Sequence, residues 1–183
     1  MRILTKKKNK IGELGVIDDV LSYNELKTLE YYLEDFTEDL ISSNKVGWDA
    51  RLVKDISGTI DLAVISDLMY EELYSIFAEK ASVVFGRTLE PTDIMLQYYS
   101  GNNLGGINWH DDGSYKGAIS FYLDDWKKEY GGIFCYTLST KENYETVIPK
   151  RNRLVYQTGG IWHKVTPIEY GSPIRRSIQV WIL

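Results

Sequence analysis

The second half of this 183-residue chain is a succession of short β-rich segments, and no other feature constrains the fold as strongly. Each segment either alternates apolar and polar residues or is continuously rich in β-branched and aromatic residues. Turn-forming sequences such as GNNLGG, DDWKKEYGG and EYGSP separate the segments. Six or more short strands linked in this way predict a sandwich or barrel, most simply a jelly roll. The predicted strands are 93–99, 117–123, 133–138, 153–157, 163–168 and 177–183.

Helical spacing dominates much of the first half. Ser22 followed by Glu25 forms a capping-box start signal, and the apolar residues after it recur at intervals of three and four. This pattern predicts a helix over 23–36. The same spacing over 60–85 predicts a second long helix that packs its apolar stripe on a sheet.

The other N-terminal segments have no clear period. The basic start, through Lys10, is expected to be a frayed end or an edge strand, because its like charges repel. The segment 37–59 carries turn-forming residues and predicts a loop with one short strand near 51–54. Helices before strands indicate an α+β fold in which N-terminal helices buttress the sheets. We expect one domain over 1–183, with helical support at about 12–86 and the jelly-roll core at about 87–183.

Composition excludes several classes of protein. With 44% hydrophobic and 26% charged residues, the chain resembles a globular domain rather than a disordered one. No stretch approaches the roughly 18 apolar residues of a membrane-spanning helix. The net charge of −5 argues against a protein whose main task is to bind nucleic-acid phosphates. Because Cys135 is the only cysteine and the N-terminus lacks a signal-peptide pattern, we expect a cytoplasmic protein.

The chain has only two histidines, and both lie in suggestive motifs. In WHDDG, His110 and Asp112 are two residues apart and point to the same side if the segment is extended, whereas Asp111 faces the other way. His163 follows a strand pattern in GGIWHKVTPI. If these two histidines and Asp112 converge, they form the two-His, one-carboxylate set of non-haem Fe(II) oxygenases, although such a set also suits catalytic Zn(II). The alternative is that WHDDG is a solvated turn and that His163 is a half-buried histidine of a sheet.

The C-terminal run PIRRSIQVWIL places a cation on a predicted core-facing strand. Period-two alternation puts Arg175 and Ser177 on one face and Arg176 on the other. A buried guanidinium requires an anionic partner, and a dicarboxylate cosubstrate would supply one through a bidentate contact. The alternative is that Arg175 caps the barrel mouth or pairs with one of the many acidic residues.

An ordered set of motifs resembles the Fe(II)- and 2-oxoglutarate-dependent dioxygenases, specifically their prolyl 4-hydroxylase-like branch. The set is LQYYSG (96–101), WHDD (109–112), SFYLDDW (120–126), GGIFCY (131–136), RLVYQTGGIWHKVTPI (153–168) and RRSIQVW (175–181). The resemblance implies a double-stranded β-helix (jelly roll) with N-terminal buttressing helices. It also implies that Fe(II) is held by His110, Asp112 and His163.

The same resemblance implies a binding site for 2-oxoglutarate. Arg175, with Ser177, is expected to bind the distal carboxylate, and the phenol of Tyr122 to contact the same carboxylate. Tyr99 matches a pocket tyrosine that precedes the His-x-Asp motif. Ascorbate is a further cofactor that this branch suggests.

The expected activity is hydroxylation of an amino-acid residue, prolyl by resemblance, in a peptide or protein, with conversion of 2-oxoglutarate and O2 to succinate and CO2. Three alternatives remain at this stage. The same chemistry can act on a small molecule or on a nucleic-acid base, the latter disfavoured by the acidic net charge. A catalytically silent jelly-roll binding module is the third. No membrane partner is expected.

Overall fold

The structure is a computed structural model that describes residues 1–38, 40–42, 45, 50–54, 56–65, 71–86, 88 and 91–183. The α-helices are α1 (Tyr23–Glu38), α2 (Ala50–Val53) and α3 (Glu71–Phe85). The strands are β1 (Arg2–Lys8), β2 (Glu13–Asp18), β3 (Ile41–Ser42), β4 (Asp61–Val64), β5 (Pro91–Tyr99), β6 (Ile107–His110), β7 (Gly117–Tyr122), β8 (Phe134–Thr137), β9 (Glu145–Val147), β10 (Arg153–Thr158), β11 (Trp162–Val165) and β12 (Arg175–Ile182).

Two antiparallel sheets form the body of the fold. The large sheet has eight strands in the order β1-β2-β10-β7-β12-β5-β4-β3, and the small sheet has four in the order β6-β11-β8-β9. Apart from the consecutive pair β8 and β9 in the small sheet, strands of the second half alternate between the two sheets, so β12 lies between β5 and β7 while β11 lies between β6 and β8. This arrangement confirms the predicted jelly roll with N-terminal helices.

Helices α1 and α3 cover the outer face of the large sheet. The backbone N–H of Ser22 donates to Glu25 Oε2 at 2.6 Å and that of Glu25 donates to Ser22 Oγ at 3.3 Å, so the predicted capping box begins α1. In α3, Phe77 packs on Phe121 of β7 with ring centroids 5.1 Å apart. The buried stripe of α3 has four-residue spacing, as a helix packed on a sheet requires: Leu73, Phe77 and Ala81.

Several expectations for the first half are wrong. The segment 61–64, assigned to the second helix, is strand β4, because short buried apolar runs have the same appearance in both kinds of element. The short strand near 51–54 is instead helix α2, and the helical support at 12–86 also contains strands β2, β3 and β4 of the large sheet. The basic start is edge strand β1, one of the two outcomes expected. Residues 66–70 of the predicted helix and 39, 43, 44, 46–49 and 55 of the predicted loop lie outside the described residues.

Among the helices of the described ranges, none has the length and apolar character needed to cross a bilayer.

Candidate active site

A cavity of about 280 Å³ lies between the two sheets. Its walls come from β5, β7 and β12 of the large sheet and from β6, β8 and β11 of the small sheet, and helix α2 and the turn after β6 contribute further lining residues. The lining residues are Leu52, Asp93, Met95, Gln97, Ile107, His110, Asp112, Tyr115, Ser120, Tyr122, Phe134, His163, Val165, Arg175, Ser177, Gln179 and Trp181.

Strand pairing in the small sheet brings the two histidines together. His163 of β11 lies directly opposite His110 of β6, and the centroids of the imidazole rings are 4.0 Å apart. Side chains at facing positions of antiparallel strands emerge on the same side of the sheet, which here is the side that looks into the cavity. Two residues separated by 52 intervening positions in the sequence therefore share one site.

Asp112 completes the cluster by a different route from the one expected. Strand β6 ends at His110, and Asp112 adopts a left-handed backbone conformation with φ +48°. This turn, rather than an extended chain, directs its carboxylate inward, where Oδ1 lies 3.7 Å from His110 Nε2 and Oδ2 lies 3.4 Å from His163 Nε2. One ligand atom from each residue lies within 4.8 Å of the others. Asp111 lies outside this cluster and accepts a hydrogen bond from the Gly113 N–H.

Backbone carbonyls fix the tautomer of both imidazoles. His110 Nδ1 lies 2.8 Å from the Asn108 carbonyl oxygen, and His163 Nδ1 lies 2.9 Å from that of Ile161. A carbonyl can only accept a hydrogen bond, so Nδ1 carries a proton in each ring, and Nε2 is the nitrogen that is left to bind a metal once it is deprotonated. This is the tautomer required of a metal ligand whose other nitrogen is held by a backbone carbonyl.

The electrostatics also suit a metal. Burial, followed by the neighbouring His163, lowers the pKa of His110 to about 4, so this imidazole is neutral near pH 7. Burial alone would raise the pKa of Asp112, but the hydrogen bond and charge of His163 together with His110 hold it below its usual value. A neutral imidazole and an ionised carboxylate are the states that bind a divalent cation.

The far end of the cavity holds a buried guanidinium. Arg175 is 1% exposed, its Nη1 donates to the Gly132 carbonyl, and its Cζ lies 3.8 Å from the centroid of the Tyr99 ring. Among the described residues no carboxylate lies within ion-pair distance of Arg175, and its Nε has no hydrogen-bond partner. The alternative in which it pairs with an acidic residue of the chain therefore finds no support in the described part.

The neighbouring arginine points the other way, as the alternation predicts. Arg176 has a side chain that is 32% exposed, and its Nη2 lies 2.6 Å from Asp124 Oδ1. A pair of adjacent arginines thus divides between the two faces of β12.

The other residues assigned to 2-oxoglutarate surround Arg175. Ser177 follows it on the same face of β12 and lies opposite Tyr122 of β7, and both residues line the cavity. Burial raises the pKa of Tyr122, so its phenol is a neutral hydrogen-bond donor. Tyr99 lies opposite Arg175 in β5 and supports the guanidinium from behind, with its Oη donating to Gln97 Oε1 at 2.9 Å.

Several residues of the site were missed by the sequence analysis. Gln157 is 3% exposed, and its Nε2 lies 3.1 Å from His163 Nε2 and 3.4 Å from Asp112 Oδ2. Its Oε1 is buried without a partner in the described part of the chain. Trp181 donates a side-chain hydrogen bond to Asp112, which lowers the pKa of that carboxyl. The available signal for Gln157 was a glutamine directly after the apolar run LVY of β10.

Gly132 accommodates the arginine. Its φ is +60°, a conformation that L side chains rarely adopt, and an added Cβ would lie 2.5 Å from Ile168 Cδ1 and 3.3 Å from Arg175 Nη1. The glycine therefore allows its carbonyl to reach the guanidinium without a side chain in the way.

The side chains that line the cavity fit Fe(II) and 2-oxoglutarate in their chemistry. Two imidazoles and one carboxylate would hold an ion from one side and leave its remaining positions open toward the cavity. At the opposite end, the orphaned Nε of Arg175, which has no carboxylate partner among the described residues, suits a bound carboxylate. Ligand type alone also admits Zn(II), whereas a second, buried anion site in the same cavity favours the cosubstrate chemistry.

Known proteins support this interpretation. A family model described as the 2OG-Fe(II) oxygenase superfamily matches residues 94–183, which include every residue assigned above to metal or cosubstrate. No curated protein sequence matches the chain.

Solved structures share the fold over nearly the whole chain. A prolyl-4-hydroxylase from Pseudomonas putida matches with a TM-score of 0.69 at 15% identity, over 92% of this chain and 91% of that one. A prolyl hydroxylase from Trichoplax adhaerens, bound to a peptide of hypoxia inducible factor, matches with a TM-score of 0.69 at 16% identity, over 93% and 83%. The α-ketoglutarate-dependent epimerase SnoN from nogalamycin biosynthesis matches with a TM-score of 0.69 at 13% identity, over 93% and 77%. The sequence match assigns residues 94–183 to the 2OG-Fe(II) oxygenase superfamily, and the shared fold extends over nearly the whole chain.

Proposed function

We propose that the protein is an Fe(II)- and 2-oxoglutarate-dependent dioxygenase in which His110, Asp112 and His163 hold the metal. The observation that carries this proposal is the fully buried Arg175, which has no carboxylate partner among the described residues and lines the same cavity as the three ligands. An uncompensated buried charge is strongly destabilising, so a fold that keeps one needs an anionic ligand to offset it.

The chain contributes binding and orientation. Arg175 offers two parallel N–H donors to the distal carboxylate of 2-oxoglutarate, while Ser177 and Tyr122 donate to the same group and Tyr99 holds the guanidinium plane. Fe(II), when bound, supplies the redox chemistry that couples decarboxylation of 2-oxoglutarate to oxidation of a substrate by O2. The apolar side chains of Ile107, Phe134 and Val165 exclude water around the ligands.

For the substrate we propose an amino-acid residue of a peptide or protein, with prolyl as the leading candidate. The support is the resemblance of the motifs to the prolyl 4-hydroxylase-like branch, together with the shared fold of two prolyl hydroxylases, one of them peptide-bound.

We also propose ascorbate as an accessory reductant. A cytoplasmic setting is in keeping with Cys135, which is a free, buried thiol.

A small-molecule substrate is the second candidate. It is favoured by the equal similarity of the fold to an epimerase and a carbocyclase of nogalamycin biosynthesis, each with a TM-score of 0.69. A silent binding module is disfavoured because all three candidate metal ligands and the buried Arg175 are present. We propose that 1–183 acts as one catalytic unit, since β1 to β4 extend the sheet that carries Arg175.

The direct test is uncoupled turnover in the absence of any substrate. With Fe(II), ascorbate, O2 and 2-oxoglutarate supplied, we expect stoichiometric succinate and CO2, measured by mass spectrometry and release of labelled CO2. Omission of Fe(II) is the matched control. If the protein binds metal and 2-oxoglutarate but forms no succinate with or without a broad peptide pool, the silent module becomes the better explanation.

A further inference from the structure

The two ends of the cavity carry opposite charges. Of the residues that line it in the described part of the chain, only Arg175 has a permanent positive charge, and only Asp93 and Asp112 carry carboxylates. Asp112 is assigned to the metal and Arg175 to the cosubstrate. Asp93 is a third charged group, at the opposite end of β5 from Tyr99, and neither of those assignments uses it.

Two aromatic side chains accompany Asp93. Tyr115 Oη donates to Asp93 Oδ2 at 3.1 Å, and the ring of Tyr115 lies 6.0 Å from that of Trp181, which faces Asp93 across the β5–β12 pair. Asp93 is exposed, and no described cation lies within ion-pair distance of it. Its Oδ1 receives no hydrogen bond from a described side chain, so it remains free toward an incoming group.

The wall beside this carboxylate is aliphatic. Leu52 of α2 and Met95 of β5 line the same cavity, and Met95 lies two residues from Asp93 on the same face of β5. An apolar wall that ends at a carboxylate and two rings complements a flexible aliphatic chain with a positive charge at its end, because the chain packs on the wall while the cation meets the carboxylate and the ring faces.

We propose that the prime substrate presents a cationic group, the ammonium or guanidinium of a basic side chain, which binds Asp93 beside Tyr115 and Trp181. This inference rests on the proposed function and specifies its substrate class. A neutral prolyl ring alone can pack on the two rings but leaves Asp93 without a counter-ion. An acidic substrate is repelled by Asp93.

The test uses the full chain with Fe(II) and 2-oxoglutarate, and it measures succinate formed above the peptide-free rate. Two pools of capped peptides, each prepared with and without a central proline, differ only in their flanking residues. One pool contains lysine and arginine at those positions, and the other contains methionine and glutamine. We expect an apparent KM about five- to tenfold lower for the cationic pool, which is the size of one exposed cation contact supported by an aromatic ring.

Two variants separate the site from general charge effects. Asp93→Asn keeps an acceptor for Tyr115 and is expected to remove the preference for the cationic pool. Asp19→Asn removes the same charge at an exposed position outside the cavity lining, where φ is +56° and asparagine is well tolerated, and is expected to keep the preference. Fluorescence polarisation of the labelled pools on the Zn(II)- and 2-oxoglutarate-loaded protein gives the same comparison without turnover.

Salt provides a test in the wild type that does not depend on any variant folding. Raising ionic strength from about 50 to 300 mM should raise the KM for the cationic pool and leave that for the neutral pool unchanged, because exposed charge pairs are screened. Equal KM values for the two pools, or a cationic preference that survives Asp93→Asn, would overturn the inference while uncoupled turnover stands. Loss of all 2-oxoglutarate turnover in the wild type counts instead against the proposed function.

Discussion

The two faces of the large sheet are built from the same strands and carry opposite chemistry. On β12, Ile178, Val180 and Ile182 point toward the helices and are fully buried in an apolar cluster. Their neighbours Ser177 and Gln179 point into the cavity, where polar side chains are also buried. The apolar face stabilises the fold, and the polar face holds the side chains that line the cavity. Because a shift of one residue in register would exchange them, the apolar face also fixes which side chains reach the site.

The largest effect is expected from loss of a metal ligand on the cavity face. Asp112→Ala or His163→Ala should abolish specific binding of Fe(II), and of Mn(II) used as a spectroscopic substitute, together with succinate formation. Asp111→Ala is the matched control and should retain metal binding, since its carboxylate lies outside the cluster. Isothermal titration calorimetry with Mn(II) measures the metal affinity of the ligand variants and of the control. Equal losses for Asp111→Ala and Asp112→Ala would contradict the assignment.

The helix-covered face should respond in stability alone. Phe77 is fully buried against Phe121, so Phe77→Ala is expected to lower the free energy of unfolding by about 3–5 kcal/mol. Urea unfolding monitored by circular dichroism measures this. The folded fraction should keep its metal affinity and its KM for 2-oxoglutarate, and a change in either constant would mean that the two faces are not independent.

The two adjacent arginines of β12 test whether neighbouring residues of one strand divide between the cavity face and the opposite face. Arg175→Lys removes the planar guanidinium that can bind a buried carboxylate through two parallel N–H groups. The binding free energy of 2-oxoglutarate should weaken by about 2–5 kcal/mol, which raises the KM for 2-oxoglutarate about 30-fold or more. Arg176→Lys retains the charge beside Asp124 at the surface and should change the KM little. Steady-state succinate assays distinguish them. A large rise for Arg176→Lys with none for Arg175→Lys would invert the assigned faces.

A smaller effect is expected at Gln157, which contacts ligand atoms without belonging to the cluster of three. Gln157→Leu should weaken Mn(II) or Co(II) binding about 10- to 100-fold, as is usual for residues that orient metal ligands. The Co(II) absorption spectrum should change in the same variant. Gln179→Leu is the control, because Gln179 is a buried glutamine of the same cavity that bonds Ser120 instead. Unchanged affinity and spectrum in Gln157→Leu would show that its contact is incidental.

Sequence reasoning was most accurate where one face of a strand is buried and the other differs in polarity. Alternation along 175–182 assigned Arg175 and Arg176 to opposite faces correctly. It was least accurate in the first half, where Leu62 and Ala63 of β4 are both buried. A strand covered on both faces loses its period of two and resembles a buried helix segment, so the 60–85 helix was predicted too long.

The sequence by itself determined the jelly-roll class, the capping of α1 and the residue types of the site, because these depend on local periodicity and on a few scarce side chains. Only the tertiary structure decided that Asp112 enters through a left-handed turn, that Gln157 and Trp181 contact the ligand cluster, and that Asp93 stands at the other end of the cavity from Arg175. Those relations join strands that are distant in the chain. The physical reason is that cross-strand register and the packing of one sheet on another bring together residues whose sequence separation carries no information about their distance.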